Sequence, residues 1–235
     1  MRFAAPLIRA RLVRRYKRFL ADVLLESGET VTAHCPNPGA MLGLTEAGAE
    51  VWLSRSDDPK RTLPWSWELV GAADGLIGIN TARPNRIAEE AIAGAAVPEL
   101  AGYDRIRREV RYGERSRVDL VLERTDGESC YVEVKNVHLM RRPGLAEFPD
   151  SVTTRGTRHL RELATLAASG VRAVVLFVVQ RADASGFAVA GDIDPAFHAA
   201  ARAARAAGVE TLCYGCALSP QQIVLDRLLP IALQA

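Results

Sequence analysis

Two apolar runs in the middle of the chain have the pattern of a β-hairpin. Residues 118–122 and 130–137 are rich in β-branched and other apolar side chains, and residues 125–128 between them contain an Asp-Gly pair. An Asp-Gly pair between two such runs is typical of a tight hairpin turn. Each run also carries an acidic residue among its apolar neighbours, Asp119 in the first and Glu133 in the second. A carboxylate in that setting is costly unless a positive group lies beside it.

Pairing across this hairpin brings the two acidic residues together. Asp119 is expected about level with Glu133, because both lie about seven residues from the turn. Side chains alternate along a strand, so Glu133 and Lys135 share one face while Val132 and Val134 take the other. An isolated Glu-x-Lys alternation is also typical of a half-exposed strand with a surface ion pair. The second acidic residue in an equally apolar run favours a functional patch of two carboxylates and one ammonium.

The region before this hairpin has the pattern of a small all-β domain. Apolar segments at 7–14, 18–26, 30–34, 49–54 and 67–79 are separated by turn signals, and no long helical pattern interrupts them. Short strands of this number fit an OB-like barrel, and a small SH3-like barrel fits nearly as well.

The remaining residues alternate between helical and strand patterns. Helices are predicted at 85–94, 150–169 and 195–207, strands at 173–179 and 209–214, and a closing segment at 222–229. Asp150 or Ser151 is the expected cap of the middle helix. On a polar face of that helix, Arg155 and His159 are candidates for contacting a phosphate, although a solvated face explains the charges almost as well. We therefore expect an α/β (α+β) chain, with an OB-like β-barrel at 1–80 and an α/β domain at 81–235.

Charge along the chain is clustered even though the total is small. The chain has 235 residues, 49% of them hydrophobic, and a net charge of +2. Residues 1–21 contain seven basic residues and no acidic one, and residues 102–117 contain six arginines. Such clusters are typical of surfaces that bind a phosphate backbone, and a solubilising face is the alternative. The expected DNA contacts of the first cluster are Arg14, Arg15, Lys17 and Arg18.

A loop at residues 34–41 offers two further candidate contacts. Two prolines and a glycine make this loop rigid, and His34 and Asn37 supply donors that fit a phosphate or a base edge. An ordinary turn in which Asn37 sets the backbone fits the spacing alone better.

Several classes of protein are disfavoured by what the sequence lacks. No apolar run is long enough to span a membrane, and the basic N-terminus has no signal-peptide pattern, so we expect a cytoplasmic protein. No Gly-rich phosphate-binding loop is present, so no nucleotide cofactor is expected. The cysteines form no dense disulfide framework, and buried thiols are a better interpretation than a zinc site: Cys35, Cys130, Cys213 and Cys216.

The hairpin residues match the chemistry of metal-assisted phosphodiester hydrolysis. Carboxylate oxygens of Asp119 and Glu133 are hard ligands that suit Mg²⁺ or Mn²⁺. Lys135 beside the metal is placed to hold or deprotonate an attacking water, or to balance charge in the transition state. An Asp followed about fourteen residues later by Glu-x-Lys on the neighbouring strand resembles the core of PD-(D/E)xK nucleases.

Motifs along nearly the whole chain resemble those of one family. In order, they lie at residues 15–23, 34–41, 67–69, 85–86, 116–119, 131–135 and 148–160, and together they look like the sugar fermentation stimulation protein A (SfsA) family. The resemblance implies an OB-like N-terminal domain followed by a PD-(D/E)xK nuclease-like domain, DNA binding, and a regulatory link to maltose metabolism. Val118 stands where the motif has its proline, a departure that removes no ligand.

The nuclease resemblance also implies a third carboxylate from the preceding helix. Glu89 or Glu90 is the candidate, and Glu89 is slightly preferred because Ile92 then continues the apolar face of the helix. Two functions remain open: a Mg²⁺- or Mn²⁺-dependent DNA endonuclease, or a non-catalytic DNA-binding regulator of sugar metabolism on a retired nuclease scaffold. The sequence predicts no oligomeric state.

Overall fold

The first part of the chain folds into a β-barrel. The computed structural model describes residues 1–73, 75–112 and 116–232. The barrel strands are β1 (Ile8–Tyr16), β2 (Leu20–Leu25), β3 (Thr30–His34), β4 (Glu50–Arg55), β5 (Trp65–Ala72) and β6 (Gly75–Gly78). Their order is β3-β2-β1-β4-β5-β6, and an additional pairing of β3 with β5 closes the barrel. Apolar side chains that alternate along these strands fill the interior around Trp67, which is fully buried.

Two barrel segments differ from their predicted bounds. Lys17 and Arg18 form the turn between β1 and β2, with φ values of 47° and 62°, so the strand predicted from residue 18 starts at Leu20. A pair of left-handed residues is the geometry that a tight hairpin turn requires, but neither side chain is a typical turn residue. The segment predicted at 67–79 is divided into the hairpin of β5 and β6.

The second part of the chain is a mixed sheet between two layers of helices. Its elements are α1 (Pro84–Ala93), a 3₁₀ turn (Pro98–Leu100), β7 (Arg105–Tyr112), β8 (Ser116–Glu123), β9 (Ser129–Val137), β10 (Leu139–Arg142), β11 (Leu145–Phe148), α2 (Thr154–Ala168), β12 (Arg172–Val179), β13 (Gly186–Val189), α3 (Pro195–Ala206), β14 (Glu210–Leu218), β15 (Ile223–Leu228) and β16 (Ile231–Ala232). The main sheet has the order β15-β14-β12-β9-β8-β7, and a smaller sheet has the order β10-β11-β13-β16. Together with the barrel, this architecture confirms the predicted fold class.

The two faces of the main sheet carry separate apolar cores. Ile87, Ala88, Ala91 and Ile92 of α1 pack against one face, in a cluster that includes Leu120 and Leu122 of β8 and Val132 and Val134 of β9. Residues of α2 and α3 pack against the other face, over β12. The β8–β9 hairpin has the predicted register, with Leu120 opposite Val132. The hairpin is therefore sandwiched between α1 and α2, and residues from both helices reach it.

The cap of α2 and several strands differ from the prediction. Thr153, rather than Asp150 or Ser151, caps the helix by accepting a hydrogen bond from Gly156 N at 3.1 Å. Asp150 instead accepts a hydrogen bond from the backbone N of Met41 in the barrel at 3.4 Å. Neither β7 nor the strands of the smaller sheet were predicted. The strands of that sheet are only two to four residues long, too short for a periodic pattern.

A buried ion pair joins the barrel to α1. Glu68 of β5 is 1% exposed and accepts hydrogen bonds from Arg83 Nε at 3.0 Å and from Asn80 Nδ2 at 2.8 Å. Arg83 immediately precedes α1, so this contact fixes the start of the helix. Phe3 and Leu7 hydrogen-bond to the segment before β15, although they precede the barrel strands. The division at residue 80 stays a prediction. Over the described residues, no helix is long and apolar enough to cross a membrane.

Candidate active site

Glu133 and Lys135 meet on one face of β9, as the alternation predicted. Lys135 Nζ donates a hydrogen bond to Glu133 Oε1 at 2.6 Å. Glu133 is almost fully buried, and the Lys135 side chain is 12% exposed. The charge pair is thus mostly withdrawn from water, and Lys135 is the more exposed of the two partners.

His159 of α2 approaches the same carboxylate from the helix layer. Its Nδ1 hydrogen-bonds to Glu133 Oε1, and its Nε2 accepts a hydrogen bond from Arg155 Nε at 3.3 Å. In this arrangement Nδ1 faces the carboxylate and Nε2 faces the guanidinium, so the ring lies between Glu133 and Arg155. Arg155 and His159 thus extend from the site as a chain of hydrogen bonds that ends on Glu133. Their predicted contact with a phosphate stays a prediction.

Asp119 is held from the opposite helix layer. Asn85 Nδ2, in the first turn of α1, donates to Asp119 Oδ1 at 2.8 Å. The backbone N of Val134 donates to Asp119 Oδ2 at 2.8 Å. No role was predicted for Asn85. The feature of the sequence that could have indicated one is its position one helical turn before Glu89, on the helix predicted to supply a ligand.

The regular alternation of side chains fails at Asp119. Val118 and Val121 pack together in one small cluster, whereas Leu120 lies in the main core beside α1. In a regular strand, residues 118 and 120 face the same side, so β8 turns over between them. The carboxylate of Asp119 is therefore free to reach the backbone of β9 and the start of α1.

The neighbouring strand turns over at the same level. The β7–β8 ladder pairs Arg108 with Leu120 and Val110 with Val118. Glu109 lies between them, opposite Asp119, and has a φ of 51°. Left-handed backbone at a non-glycine residue is uncommon and is concentrated at functional sites. The irregularity of both strands thus coincides with the predicted catalytic aspartate.

The carboxyl groups of Asp119 and Glu133 have opposite pKa shifts. Burial and then the nearby charge of Glu133 raise the pKa of Asp119, against the hydrogen bonds from Val134 and Asn85. Burial also opposes ionisation of Glu133, but the hydrogen bond from His159 and the charge of Lys135 outweigh it and lower its pKa. Interacting carboxyl groups with divergent pKa values are typical of sites that handle protons or metal ions.

One carboxylate oxygen in the site has no partner. Glu133 Oε2 is buried and forms no hydrogen bond within the part of the chain that the structure describes. Leaving such an atom unpaired costs on the order of 1–3 kcal/mol, so a water or an ion is expected beside it. Oxygens of Asp119 and Glu133 form a donor set that fits a divalent cation retaining several waters. In residues 1–73, 75–112 and 116–232, no three Asp, Glu, His or Cys side chains form a complete metal cage.

Glu89, the predicted third ligand, is engaged elsewhere in this structure. Its carboxylate forms an ion pair with Arg108 Nε at 3.6 Å. Glu90, the alternative, pairs with Arg86 at 2.7 Å. Asn85, rather than either glutamate, is the α1 side chain in contact with Asp119. The assignment of Glu89 as a ligand stays a prediction.

The basic residues predicted to bind DNA in the barrel mostly contact the barrel itself. Arg14 Nε donates to Asp22 at 2.8 Å, and Arg15 Nη2 donates to the carbonyl of Asn37 at 2.9 Å. Arg18 Nη2 donates to the carbonyl of Pro38 at 3.0 Å, and Lys17 is exposed in the turn. Arg15 and Arg18 thus fasten the turn between β1 and β2 to the loop at residues 34–41, whereas Arg14 contacts β2.

The two loop candidates are also partly committed to structure. Asn37 is 1% exposed; its Nδ2 donates to Ile79 O at 2.9 Å and its Oδ1 accepts from Gly39 N at 2.8 Å. His34 is half-buried at the end of β3, where burial and then the charge of Arg61 lower its pKa. Asn37 therefore sets the backbone of the loop, as the alternative interpretation held. Contact of either residue with DNA stays a prediction.

The cysteines are buried free thiols, as expected: Cys35, Cys130, Cys213 and Cys216. Burial raises the pKa of the Cys213 and Cys216 thiols. They are therefore protonated core residues, far from the reactive thiolate form.

Comparison with known proteins places the chain in a family. Family models match at residues 13–79, described as the SfsA N-terminal OB domain, and at residues 82–222, described as the sugar fermentation stimulation protein RE domain. A sugar fermentation stimulation protein homolog of Rhodospirillum centenum is 57% identical, over 99% of this chain and 100% of the relative. A homolog of Paramagnetospirillum magneticum is 56% identical, over 96% and 95%.

A solved structure has the same fold over nearly the same length. It is described as the structure of Pyrococcus furiosus SfsA in complex with Ca²⁺, and it matches this chain with a TM-score of 0.89 at 28% identity, covering 99% of this chain and 98% of that chain. The barrel, the mixed sheet and the order of the motifs thus agree with both kinds of comparison. The chain belongs to the sugar fermentation stimulation protein (SfsA) family.

Proposed function

We propose that this protein binds DNA and hydrolyses its phosphodiester bonds with Mg²⁺ or Mn²⁺ held by Asp119 and Glu133. The observation that carries the proposal is the buried, unpartnered Oε2 of Glu133, which lies on a carboxylate already positioned by Lys135 and His159. A buried anionic oxygen without a donor is a site prepared for a cation.

The related structure supports the choice of a divalent cation. Pyrococcus furiosus SfsA, which shares the fold at a TM-score of 0.89, is described in complex with Ca²⁺. Ca²⁺, Mg²⁺ and Mn²⁺ all prefer oxygen ligands, and the smaller Mg²⁺ characteristically combines one or two carboxylates with waters and substrate phosphate oxygens. Two carboxylates without a complete protein cage are consistent with that pattern.

Each side chain of the site has a separate task in this proposal. The bound cation supplies charge neutralisation at the phosphate and a water of lowered pKa. Asn85 and the Val134 amide hold both oxygens of Asp119, so the carboxylate keeps one orientation. Lys135, whose side chain is 12% exposed, holds the attacking water or balances charge in the transition state. His159 fixes Glu133 Oε1, which leaves Oε2 for the cation.

A second candidate function is supported by the same contacts. Glu133 Oε1 is occupied by both Lys135 and His159, which is the arrangement expected of a closed internal salt link. Such a link stabilises a scaffold without turnover. The alternative is therefore a non-catalytic DNA-binding regulator, with the connection to sugar metabolism that the family name implies.

Plasmid cleavage separates the two candidates. Supercoiled DNA incubated with the protein and Mg²⁺ or Mn²⁺ is expected to be nicked, and Asp119→Ala and Lys135→Ala are expected to stop nicking while DNA binding persists. Glu128→Ala is the matched control, because Glu128 lies in the same hairpin but is 68% exposed and paired only with Arg124. Activity that is unchanged in Asp119→Ala indicates a contaminating nuclease, and DNA binding without any nicking supports the regulator.

A further inference from the structure

The edge of the main sheet nearest Asp119 carries an unusual arrangement of positive charge. Strand β7 is the last strand of the sheet, and its arginines are exposed. Arg111 lies directly opposite Arg117 of β8 in the antiparallel register. Like charges directly opposite each other destabilise a strand pair, so folding alone does not favour this pairing.

The two ends of the β7–β8 ladder differ in how their charges are balanced. At the far end, Arg107 donates to Glu123 at 2.9 Å and Arg105 lies 4.0 Å from the same carboxylate. In the middle, Arg108 pairs with Glu89. At the end nearest Asp119, neither Arg111 nor Arg117 forms an ion pair with any residue that the structure describes. Among the described residues of this ladder, Arg111 and Arg117 are therefore the arginines without an ion pair, and they lie two positions along the strand from Asp119.

The reversal of the strands determines which side these arginines face. Tyr112 and Val118 both pack in the small cluster with Val121, on the side of α2. Their chain neighbours Arg111 and Arg117 therefore face the opposite side of the sheet, the side of α1. Asn85 at the start of α1 binds Asp119 on that side.

The spacing along β8 matches contact with one nucleic-acid strand. Arg117 and Asp119 are two residues apart, which corresponds to about 7 Å of strand. The backbone at Arg117 is therefore close enough to Asp119 for a long arginine side chain to reach a phosphate beside one bound at Asp119. Paired guanidinium groups bind phosphate oxygens in a two-pronged geometry that a lysine does not reproduce.

We propose that Arg111 and Arg117 form a phosphate clamp, which binds the DNA backbone one phosphate away from the candidate catalytic centre. This inference rests on the proposed function for its ligand, DNA, but not on turnover. The main contact with the DNA backbone then lies at the edge of the main sheet and not at the arginines of the barrel, which contact barrel groups. The arginines at 102–117 thereby divide into those that balance charge within the fold and the pair that binds the ligand; Arg115 lies outside the described residues.

The test is the salt dependence of DNA affinity in Ca²⁺. Fluorescence anisotropy with a labelled duplex, from about 50 to 300 mM salt, compares the wild-type protein with Arg111→Gln/Arg117→Gln. Loss of one phosphate contact is expected to lower the slope of log affinity against log salt by about 0.9, and to weaken binding about eightfold near 0.1 M salt. Arg111→Lys/Arg117→Lys is expected to keep the slope and lose part of the affinity, because charge remains without the two-pronged geometry.

The control variant removes two arginine charges from α3, on the opposite side of the main sheet. Arg202→Gln/Arg205→Gln changes two exposed arginines of α3, which form no ion pair within the described residues, and is expected to keep the wild-type slope. The thermal midpoint of Arg111→Gln/Arg117→Gln is expected to be no lower than that of the wild type, because the substitution relieves repulsion. If Arg111→Gln/Arg117→Gln binds DNA more weakly but is also poorly folded, misfolding explains the lost affinity and the clamp is overturned as its cause.

Hydrolysis of a small phosphodiester, bis(p-nitrophenyl) phosphate, keeps this inference separate from the proposed function. The clamp variant is expected to retain that activity, since the substrate has no second phosphate. Loss of DNA affinity with no hydrolysis by any form, wild type included, supports the clamp and contradicts the nuclease. Wild-type affinity and slope in the clamp variant overturn the clamp, as does a wild-type protein with no measurable affinity for DNA.

Discussion

Replacing Glu133 by Gln tests both the buried ion pair with Lys135 and the proposed role of Glu133 as a metal ligand. The substitution keeps an oxygen that accepts hydrogen bonds but removes the charge that balances Lys135. Removing one partner of a buried ion pair costs about 3–5 kcal/mol, because the other charge is left unpaired. Glu133 is 2% exposed, but the Lys135 side chain is 12% exposed and still reaches water. We therefore expect Glu133→Gln to lower the free energy of unfolding by about 3 kcal/mol, the lower end of that range.

Urea unfolding followed by far-UV circular dichroism measures this loss. Tryptophan fluorescence is unsuitable because Trp52, Trp65 and Trp67 all lie in the barrel. Glu128→Gln, which removes an exposed carboxylate from the same hairpin, is expected to change the free energy of unfolding by less than about 0.5 kcal/mol. The double variant Glu133→Gln/Lys135→Met is expected to be more stable than Glu133→Gln alone, because it leaves no unpaired charge.

Divalent cation adds a second measurement to the same experiment. A ligand that binds only the folded state at ten times its Kd raises the free energy of unfolding by about 1.4 kcal/mol. Mn²⁺ is expected to stabilise the wild type in this way and to have no effect on Glu133→Gln. A Glu133→Gln protein as stable as the wild type, and equally responsive to Mn²⁺, would refute both the buried pair and the use of Glu133 as a ligand.

Three further substitutions test other parts of the structure. Asn85→Ala removes a hydrogen bond that favours the ionised form of Asp119, so the pKa of Asp119 is expected to rise further. The acidic limb of the pH–rate profile for DNA cleavage is then expected to move to higher pH, and a limb that does not move contradicts this role of Asn85. Glu68→Gln leaves Arg83 without its buried partner and is expected to lower the free energy of unfolding by about 3 kcal/mol, measured by thermal melting; an unchanged midpoint means that the pair contributes nothing. Burial opposes ionisation of Asp150, but the nearby His138, the backbone N of Met41 and the Ser151 hydroxyl together outweigh it and hold its pKa below the ordinary value of 3.8. Its ionised form therefore stabilises the fold above pH 3.8 and this contribution is lost as the pH falls through the lowered pKa, so Asp150→Asn is expected to flatten the dependence of stability on pH below about 4.

The hairpin and its charged residues were predictable because local signals agreed there. Asp-Gly marks the turn, apolar runs mark the strands, and the period of two places Glu133 beside Lys135; the structure has each of these features. The register predicted for Asp119 agrees with the observed pairing of the hairpin, whereas its role in the site stays a prediction. Its environment depends on the reversal of β7 and β8 at Glu109 and Asp119, which needs both strands and has no signature in either alone.

The candidate contacts of the barrel show what residue type alone leaves out, and their contact with DNA stays a prediction. Seven basic residues before residue 22 form a strong cluster in one dimension. In three dimensions, Asp22 and the carbonyls of the loop at 34–41 lie beside them and accept several of their hydrogen bonds. Those acceptors are not adjacent to the arginines in the sequence, so charge counting along the chain does not include them. The arginines of β7 show the opposite case. They obscure the alternating pattern of a strand in the sequence, and in the structure they remain exposed at the edge of the sheet.

The placement of the site between two helix layers has a physical consequence for how it is assembled. Asp119 is oriented by Asn85 of α1, and Glu133 is oriented by His159 of α2, while both carboxylates belong to one hairpin. Because α1 is anchored to the barrel through Arg83 and Glu68, the position of Asn85 depends on a contact outside the main sheet. Loosening that contact should therefore disturb Asp119 while leaving the Glu133–Lys135 pair intact. The barrel thus supports the site mechanically, whether or not its own arginines bind DNA.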